Sequence, residues 1–386
     1  MKILDVCGFY SETGGGVASY VRQKLLAAEK AGHEVVVIAP GAESRVEERH
    51  GGKIAWVAAP KMPFDANYHV FVGAREAWSI IDAEAPDIIE GSSPWRGGWI
   101  AATWAGAAVR TLVFHQDFVA GYPHTLLGPM LPVERIDRLF APYWAYVRRL
   151  SQRFEATITG GAWLADRLAS FGVNRPIAVP FGIETALFSP VRRDEAVRRE
   201  LLSDCGAPPT SRLLIAVGRL HPEKRHRTLI EAFAALRRRR DDVALAIVGD
   251  GLIRSRIEQL AAKVPGIGLI GAVSDRQRLA AIYASADVLV HGSGAETYGL
   301  VVAEAIASGL IVVTPDTGGA ADLARQGASE IYRTGDSNDC ALAIERALGR
   351  LGEARPASRI TDFDDHFTAL FGLYETLIAG RAAARS

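Results

Sequence analysis

Two glutamates eight residues apart carry the strongest chemical signal in the sequence. They lie in Gly294-Ala295-Glu296-Thr297-Tyr298-Gly299-Leu300-Val301-Val302-Ala303-Glu304, with Glu296 on a predicted loop and Glu304 inside the helix that follows. The amides from Thr297 to Leu300 precede the first helical hydrogen bonds, so they could donate to ligand oxygens. One carboxylate could accept hydrogen bonds from sugar hydroxyls and the other from a ribose. Glu304 has apolar neighbours and therefore needs a partner, although a solvated helix residue is the alternative.

A second cluster places cations after a predicted strand. Val217-Gly218-Arg219-Leu220 and then Glu223-Lys224 follow the apolar run that starts at Leu213. Ligands of open α/β sheets bind outside the carboxyl ends of the strands. Two cations at that edge could neutralise a diphosphate. The alternative is that Arg219 simply pairs with a nearby carboxylate.

Two further features stand in the first half of the chain. Gly14-Gly15-Gly16 lies between the first predicted strand and helix, where glycines allow close backbone approach and a helix start attracts anions. The pattern is not GxGxxG, and a tight turn explains it equally well. His115-Gln116-Asp117 ends the strand Thr111 to Phe114. A neutral His115 could bond a transferred sugar, and Asp117 could orient the acceptor or the histidine; a histidine merely satisfied at a strand end is the alternative.

Short apolar runs alternate with helical patterns along the whole chain, which predicts an α/β fold with parallel sheets covered by helices on both faces. The predicted strands are Ile3 to Val6, Val35 to Ile38, Ile88 to Ile89, Thr111 to Phe114, Thr157 to Ile158, Leu213 to Val217, Ala244 to Val248, Gly268 to Ile270, Val288 to Val290 and Ile311 to Val313. The predicted helices are Val17 to Ala31, Gly98 to Ala108, His226 to Arg240, Leu252 to Lys263, Asp275 to Ser285 and Leu300 to Ser308.

The length of 386 residues suits two domains. We place the boundary between Phe181 and Pro190, where glycine and proline interrupt the pattern. The predicted units are a first domain at 1–185, a second domain at 186–362, and a terminal segment at 363–386. In that segment Asp364 to Ala379 forms an amphipathic helix that should pack back on the first domain.

The composition narrows the class of protein. Lysine plus arginine equals aspartate plus glutamate at 44 each, so no overall field favours nucleic acid, and we expect none as a partner. Cys7, Cys205 and Cys340 form neither a metal spacing nor a disulfide framework, which suits a reducing cytoplasm without a metal site. The apolar stretch from Trp99 to Phe114 is interrupted by Arg110 and is too short to span a bilayer.

Taken together, these residues resemble the family-four, group-1 retaining glycosyltransferases, whose GT-B fold has two Rossmann-like domains facing across a cleft. The resemblance implies that the domain at 1–185 binds the acceptor and that the domain at 186–362 binds the nucleotide-sugar. The resemblance extends over nearly the whole chain and includes Phe181-Gly182-Ile183, Gly249-Asp250-Gly251 and Gly318-Gly319. It implies that Arg219 and Lys224 hold the diphosphate, Glu296 and the amides after it hold the sugar, and Glu304 holds the ribose. These functions form the predicted donor site together with Gly15, Gly16, Gly218, Ile270, Thr297, Tyr298, Gly299 and Leu300.

The resemblance also assigns His115 a contact with the transferred sugar, so that His115, Arg219, Lys224 and Glu296 are the expected catalytic residues. Tyr298 departs from the family, in which phenylalanine is commoner. His115-Gln116-Asp117-Phe118 followed by Tyr122 looks like the branch that glycosylates lipids or related envelope acceptors, with Asp117 and Tyr122 as acceptor contacts.

The segment from Glu134 to Arg153 combines arginines with aromatic residues on a helical stretch that we expect to be kinked at Pro142. Such a surface could rest on the inner, anionic face of a membrane. A helix that lines the cleft and has a solvated basic edge is the alternative.

The sequence therefore predicts a retaining, metal-independent hexosyltransferase. Its co-substrate would be a UDP- or GDP-linked sugar, its acceptor a lipid, glycan or small molecule, and it would need no further cofactor. Two alternatives stay open: a nucleotide-sugar epimerase on the same scaffold, which needs no acceptor, and a noncatalytic nucleotide-sugar-binding protein. The missing dinucleotide fingerprint disfavours a dehydrogenase.

Overall fold

The computed structural model describes residues 1–11, 15–63, 65–128, 130–327, 329–353 and 360–383. Contacts divide the chain into two compact units. The first comprises residues 1–116, 137–180 and 363–386, and the second comprises residues 117–136 and 181–362. The ranges predicted from the sequence place residues 117–136 in the first domain, whereas the contacts group them with the second unit.

The first unit is built on an eight-stranded sheet of order β10-β9-β8-β7-β1-β2-β4-β3, in which β3 pairs antiparallel with β4 and the other neighbours pair in parallel. Its strands are β1 (Lys2–Val6), β2 (Glu34–Gly41), β3 (Arg45–Arg49), β4 (Gly52–Ala58), β7 (Ile88–Gly91), β8 (Val109–Phe114), β9 (Ala156–Thr159) and β10 (Pro176–Ala178). A separate antiparallel pair consists of β5 (Lys61–Met62) and β6 (Asp65–His69).

Helices connect these strands and cover the sheet: α1 (Gly15–Lys30), α2 (Arg75–Glu84), α3 (Arg96–Thr103), α7 (Ala141–Ser151) and α8 (Ala162–Ser170). Between β8 and α7 lie α4 (Phe118–Gly121), α5 (Pro123–Leu127) and α6 (Val133–Leu139). The last helix of the chain, α16 (Phe363–Ala383), buries Phe367, Leu370 and Tyr374 in the core of the first unit. Residues at the end of the sequence therefore complete a core that begins at Ile3.

The second unit has a six-stranded, all-parallel sheet of order β13-β12-β11-β14-β15-β16. Its strands are β11 (Arg212–Val217), β12 (Val243–Val248), β13 (Ile267–Gly271), β14 (Val288–Val290), β15 (Ile311–Pro315) and β16 (Ser329–Tyr332). Its helices are α9 (Glu195–Asp204), α10 (His226–Arg237), α11 (Arg254–Ala261), α12 (Arg276–Ser285), α13 (Leu300–Ala307), α14 (Gly319–Ala324) and α15 (Ser337–Gly349). Buried apolar residues on both faces of the sheet form two core clusters.

All ten predicted strands occur, so the predicted α/β class with parallel sheets is confirmed. The predicted helix from Gly98 to Ala108 is too long, because α3 ends at Thr103 and Trp104 is extended. Arg110 explains this end: its Nη2 donates to the carbonyl oxygens of Trp104 at 2.8 Å and Gly106 at 2.9 Å. The guanidinium thus satisfies backbone oxygens that a longer helix would have used itself.

The predicted kink at Pro142 is also wrong. The segment consists of two helices, α6 and α7, and Pro142 lies in the first turn of α7, where its missing N–H costs nothing. Trp144 is buried and stacks on Phe171 with the ring centroids 4.0 Å apart. This aromatic residue therefore belongs to the core and not to the surface.

Candidate functional site

Four of the predicted donor residues of the second unit lie on the two loops at the point where the strand order of its sheet reverses. Strand β11 lies in the sheet between β12 and β14. The chain runs from β11 outward through β12 to β13 and then crosses to β14 on the other side of β11. The loop after β11 carries Gly218, Arg219 and Lys224, and the loop after β14 carries Glu296. Open α/β sheets bind ligands outside the carboxyl ends of their strands at such a reversal.

A salt bridge joins the two loops. Lys224 lies at the end of a short 3-10 turn, Pro222–Lys224, and its Nζ donates to Oε1 of Glu296. Burial opposes the charge on Lys224, but the carboxylates of Glu296 and Glu223 hold its pKa above the ordinary value. Burial likewise opposes ionisation of Glu296, yet Lys224 holds the pKa of Glu296 below its ordinary value. Both groups are therefore charged at neutral pH.

Arg219 lies beside this pair but is much more exposed. Its Nη2 is 3.5 Å from Oε1 of Glu223, and 72% of its side chain is accessible. The same Glu223 oxygen lies 3.9 Å from Nζ of Lys224. The pairing of Arg219 with a nearby carboxylate, the alternative raised from the sequence, therefore occurs. The contact is long, so the guanidinium can turn toward an incoming anion at small cost.

Two buried histidines flank the salt bridge. Nε2 of His291, the residue directly after β14, lies 3.5 Å from Oε1 of Glu296. Burial lowers the pKa of His291 to about 4, and burial also lowers the pKa of His226 to about 4. Both imidazoles are therefore neutral at pH 7, so the positive charge beside Glu296 comes from Lys224 and Arg219.

The loop from Glu296 to α13 is shaped by a glycine. Gly299 has φ of 97° and a Cβ there would lie 3.1 Å from Cα of Ala320. Both the left-handed conformation and the close packing disfavour a larger residue at this position. Gly299 is the N-cap of α13 and Leu300 is its first residue, so the helix itself does not use the amides of these two residues in its hydrogen bonds.

Tyr298 and Thr297, which belong to the predicted donor contacts, are both buried. The ring of Tyr298 meets the edge of Phe181 with the centroids 5.9 Å apart. Burial raises the pKa of its phenol to about 12, although a hydrogen bond with Thr361 lowers it. The hydroxyl that distinguishes Tyr298 from phenylalanine therefore contacts the protein itself.

Glu304 lies in the second turn of α13 and is partly buried. The hydroxyl of Tyr283, from α12, donates to its Oε2 at 3.1 Å. Burial raises the pKa of Glu304 to about 7, whereas this hydrogen bond and the charge of Arg276 lower it. The partner that the apolar surroundings of Glu304 require is thus Tyr283.

Three further residues of the predicted donor site lie in a strand, at the start of a helix and directly after a strand. Ile270 is in β13 and packs against the core, and Leu300 begins α13 with 36% of its surface exposed. Gly218 follows β11 with φ of 146°, a conformation that L residues rarely adopt.

In the first unit, Gly15 and Gly16 begin α1, while Gly14 lies outside the described residues. His115 directly follows β8 and meets the ring of Tyr20 edge-on at 5.3 Å between centroids. Burial lowers the pKa of His115 to about 4. The neutral imidazole that the sequence analysis assumes is therefore present.

The two predicted acceptor contacts have different surroundings. Asp117 is buried and caps α4, because its Oδ1 accepts from the amide of Ala120 at 3.0 Å. Tyr122 is 38% exposed, and its ring meets His221 edge-on at 6.0 Å between centroids. His221 immediately precedes the Pro222–Lys224 turn, so Tyr122 lies near the cationic loop of the second unit.

Sequence reasoning gives no role to His291 or Tyr283. His291 follows a predicted strand directly, which is the same signal that selects His115, and could have been found in this way. Tyr283 lies in a helix among apolar residues, where a tyrosine is indistinguishable from core until its hydroxyl is placed against Glu304. A parallel sheet of this order, with cations and carboxylates at its reversal, is typical of nucleotide-binding Rossmann-like units.

Comparison with known families matches both halves of the chain. Residues 14–187 match Glycosyltransferase Family 4 and residues 197–353 match Glycosyl transferases group 1. A GDP-mannose-dependent alpha-mannosyltransferase of Mycolicibacterium smegmatis is 30% identical over 349 residues, which are 89% of this chain and 87% of that protein. The chain therefore belongs to the family-four, group-1 glycosyltransferases, as its sequence motifs predict.

Further comparisons agree with this assignment. A GDP-mannose-dependent alpha-(1-6)-phosphatidylinositol dimannoside mannosyltransferase of Mycobacterium tuberculosis is 29% identical over 352 residues, 86% of this chain and 87% of that protein. Sucrose-phosphate synthase of Thermosynechococcus elongatus has a TM-score of 0.78, at 19% identity, over 98% of this chain and 100% of that chain. At this identity the structural likeness shows the fold, which is GT-B.

Proposed function

We propose that this glycosyltransferase transfers mannose from GDP-mannose to a glycolipid acceptor, with retention of the anomeric configuration and without a metal ion. The observation that carries the proposal is the pair of Lys224 and Glu296 at the sheet reversal, with Arg219 beside it. The names of the mannosyltransferase relatives support the choice of donor and acceptor.

The positive charge that the leaving diphosphate needs is supplied by the protein. Arg219 and Lys224 bind the diphosphate oxygens, and the amides before α13 donate to the same ligand. Lys224 is already held beside Glu296 before the charge develops, and the exposed Arg219 turns toward the diphosphate at small cost, so the charge is stabilised with little reorganisation. This arrangement supports metal-independent transfer.

The reaction breaks the bond between the anomeric carbon and the β-phosphate oxygen. The acceptor hydroxyl forms a new bond to that carbon on the same face of the sugar, and its proton passes to the departing phosphate oxygen. Glu296 accepts hydrogen bonds from sugar hydroxyls, and the neutral His115 contacts the transferred sugar. Neither glutamate needs to be a nucleophile, in contrast to the two carboxylates of retaining glycosidases.

The direct test combines donor selection with product stereochemistry. Purified protein is incubated with GDP-mannose, with UDP-glucose or without a donor. Each reaction is run with and without phosphatidylinositol mannosides as the acceptor, and each is repeated in the presence of EDTA. The proposal predicts acceptor-dependent release of GDP, unaffected by EDTA, and an α-linked product by NMR. Conversion of the donor without acceptor would indicate an epimerase, and binding without turnover would indicate a noncatalytic protein.

The same proposal assigns residues to the transfer. In Lys224→Ala and Glu296→Ala, kcat/KM for the donor should fall by about 100-fold or more, since fixed charge stabilisation of a transition state is typically worth that much. Activity within threefold of wild type in both variants would refute these assignments.

We further propose that the enzyme reaches its lipid acceptor by resting on an anionic membrane surface. No helix among the described residues combines the length and the apolar character needed to cross a bilayer. Helix α7 and the residues after it nevertheless expose Arg148, Arg149 and Arg153, with Tyr146 38% exposed on the same helix. Exposed arginines with an amphipathic aromatic side chain suit the headgroup region of anionic lipids.

A further inference from the structure

The two carboxylate oxygens of Glu304 have different surroundings. Oε2 accepts a hydrogen bond of 3.1 Å from the hydroxyl of Tyr283. Among the hydrogen bonds and ion pairs of the described residues, none reaches Oε1. One oxygen is therefore held by the protein, and the other remains available for a ligand.

The phenol that holds Oε2 is itself fixed. Tyr283 lies in the second half of α12 and is fully buried in a core cluster of the second unit. The ring of Phe188 meets it edge-on at 5.7 Å between centroids. Arg276, two turns earlier on α12, covers Phe188 with its guanidinium 5.3 Å from the ring centroid. This packing leaves the hydroxyl of Tyr283 little freedom to choose another direction.

The electrostatic surroundings keep Tyr283 a donor. Burial and the charge of Glu304 hold the pKa of Tyr283 well above its ordinary value, so the phenol stays protonated. Arg276 is the charged side chain that acts on Glu304, and it lowers the pKa of this carboxyl together with the Tyr283 hydrogen bond. Both groups therefore favour the ionised form, which is the better acceptor for ligand hydroxyls.

We propose that Tyr283 is a positioning residue that holds Oε2 of Glu304 and so directs Oε1 toward the ribose hydroxyls of the donor nucleotide. This inference rests on the proposed function, in which Glu304 binds the ribose. Tyr283 does not touch the ligand. It determines the orientation and the charge of the carboxylate that does.

The experiment compares nucleotides with and without ribose hydroxyls. Calorimetric titration measures the dissociation constants of GDP and UDP, each beside its 2′,3′-dideoxy form, for wild type and Tyr283→Phe. In Tyr283→Phe the affinity for the better ribonucleotide should fall about tenfold, the usual value of one hydrogen bond to a charged group. The affinity for its dideoxy form should stay within twofold of wild type. An unchanged preference for the ribonucleotide overturns the inference.

Tyr374→Phe is the matched control. Tyr374 is also a fully buried tyrosine whose hydroxyl donates to a buried glutamate, Oε1 of Glu90 at 2.7 Å, but it lies in the first unit. It should share any general loss of stability and leave the ribose preference unchanged. A loss of ribose preference of the same size in Tyr374→Phe would show a merely structural effect and overturn the inference.

The pH dependence supplies a readout that a structural role would not move. Nucleotide affinity should rise with pH as Glu304 ionises, and loss of the phenol donor should displace this rise upward by about one pH unit. Tyr374→Phe should leave it in place. A profile in Tyr283→Phe that coincides with the wild-type profile contradicts the inference.

Glu304→Gln separates this inference from the proposed function. Loss of the ribose preference in Glu304→Gln but not in Tyr283→Phe overturns the role of Tyr283 alone. Retention of the preference in Glu304→Gln overturns the ribose role of Glu304 as well. If wild type binds neither GDP nor UDP, the proposed function fails and the inference fails with it.

Discussion

At the scale of single residues, the pKa values of the two glutamates in the site of the second unit are shifted in opposite directions. Glu296 faces Lys224 and its pKa is held below the ordinary value, whereas burial raises the pKa of Glu304 to about 7. Their different partners account for this difference, because Glu296 has a cation and Glu304 has a neutral phenol. A pair of carboxyls with separated pKa values is typical of a functional site.

Loss of Lys224 should destabilise the protein as well as impair transfer. Lys224→Ala leaves Glu296 charged, partly buried and without its cation, so the free energy of unfolding should fall by about 1–3 kcal/mol. Lys224→Met combined with Glu296→Gln should recover most of that loss, because the double variant leaves no unpaired charge. Urea unfolding measures both. A double variant that is less stable than Lys224→Ala would contradict this account.

The sign of the pH dependence follows from both partners. The pKa of Glu296 is lowered from 4.5, so its stabilisation is present above that value and is lost as the pH falls through the folded-state pKa. The pKa of Lys224 is raised from 10.5, so its stabilisation is present below that value and is lost as the pH rises further. The difference between wild type and Lys224→Ala should therefore be largest between these two values.

Glu304 should show the opposite behaviour. Its folded-state pKa of about 7 exceeds the ordinary 4.5, so the carboxyl stabilises the fold below 4.5 and loses that contribution as the pH rises through 7. The side chain of Glu304→Gln can still accept from Tyr283 but does not ionise. The change in the free energy of unfolding that this substitution causes should therefore be about 1–2 kcal/mol more stabilising at pH 8 than at pH 5. Urea titrations at the two pH values measure this, and an equal effect at both would contradict the raised pKa.

At the scale of elements, the loop before α13 depends on the backbone conformation of one glycine. Gly299 combines a φ of 97° with a close approach to Ala320. Gly299→Ala should lower the free energy of unfolding by about 1–3 kcal/mol and weaken GDP binding, because it displaces the amides at the start of α13. Gly372→Ala, in α16 with open space around its Cα, is the control and should be neutral or slightly stabilising. Equal effects in both variants would contradict the proposed requirement.

The sequence predicts the central elements well, because buried parallel strands are continuous apolar runs. Strands β11 and β12 are of this kind. It does not predict β16, a short strand in which Ser329 and Glu330 are polar, and it also misses β4, although Ile54 to Ala58 is a continuous apolar run. It also places the end of α3 too late, since the carbonyl oxygens after that end accept from the side chain of Arg110, a contact that depends on which way the guanidinium points. Contacts of this kind are invisible to periodicity.

For the site, the family resemblance assigns Lys224 and Glu296 to one donor site, and the structure joins the two side chains by a salt bridge. The sequence does not predict that Asp117 caps α4 or that Tyr283 holds Glu304. Both facts depend on which way a side chain points. Spacing along a chain indicates which residues could take part in chemistry. The packing of the folded protein determines which of these side chains already form hydrogen bonds with other protein groups.

At the scale of the whole molecule, charge is balanced in total, with 44 basic and 44 acidic residues, and Arg148, Arg149 and Arg153 are exposed on α7 and just after it. Arg148→Glu with Arg149→Glu should reduce sedimentation with phosphatidylinositol-containing vesicles by about tenfold or more at low salt, since each arginine near an anionic surface contributes about 1 kcal/mol. Arg238→Glu with Arg239→Glu is the matched control, an exposed adjacent pair in the second unit. Equal loss in both, or binding to pure phosphatidylcholine, would contradict a specific surface.

The central claim is that the side chain of Lys224 in the second unit binds the diphosphate of the donor. Calorimetric titration of GDP and GMP into wild type and Lys224→Ala tests it most directly, because the two ligands differ by one phosphate. The account predicts that wild type prefers GDP and that Lys224→Ala loses at least about tenfold of this preference, while its affinity for GMP changes little. A preference for GDP that survives the loss of Lys224 undiminished would contradict the account.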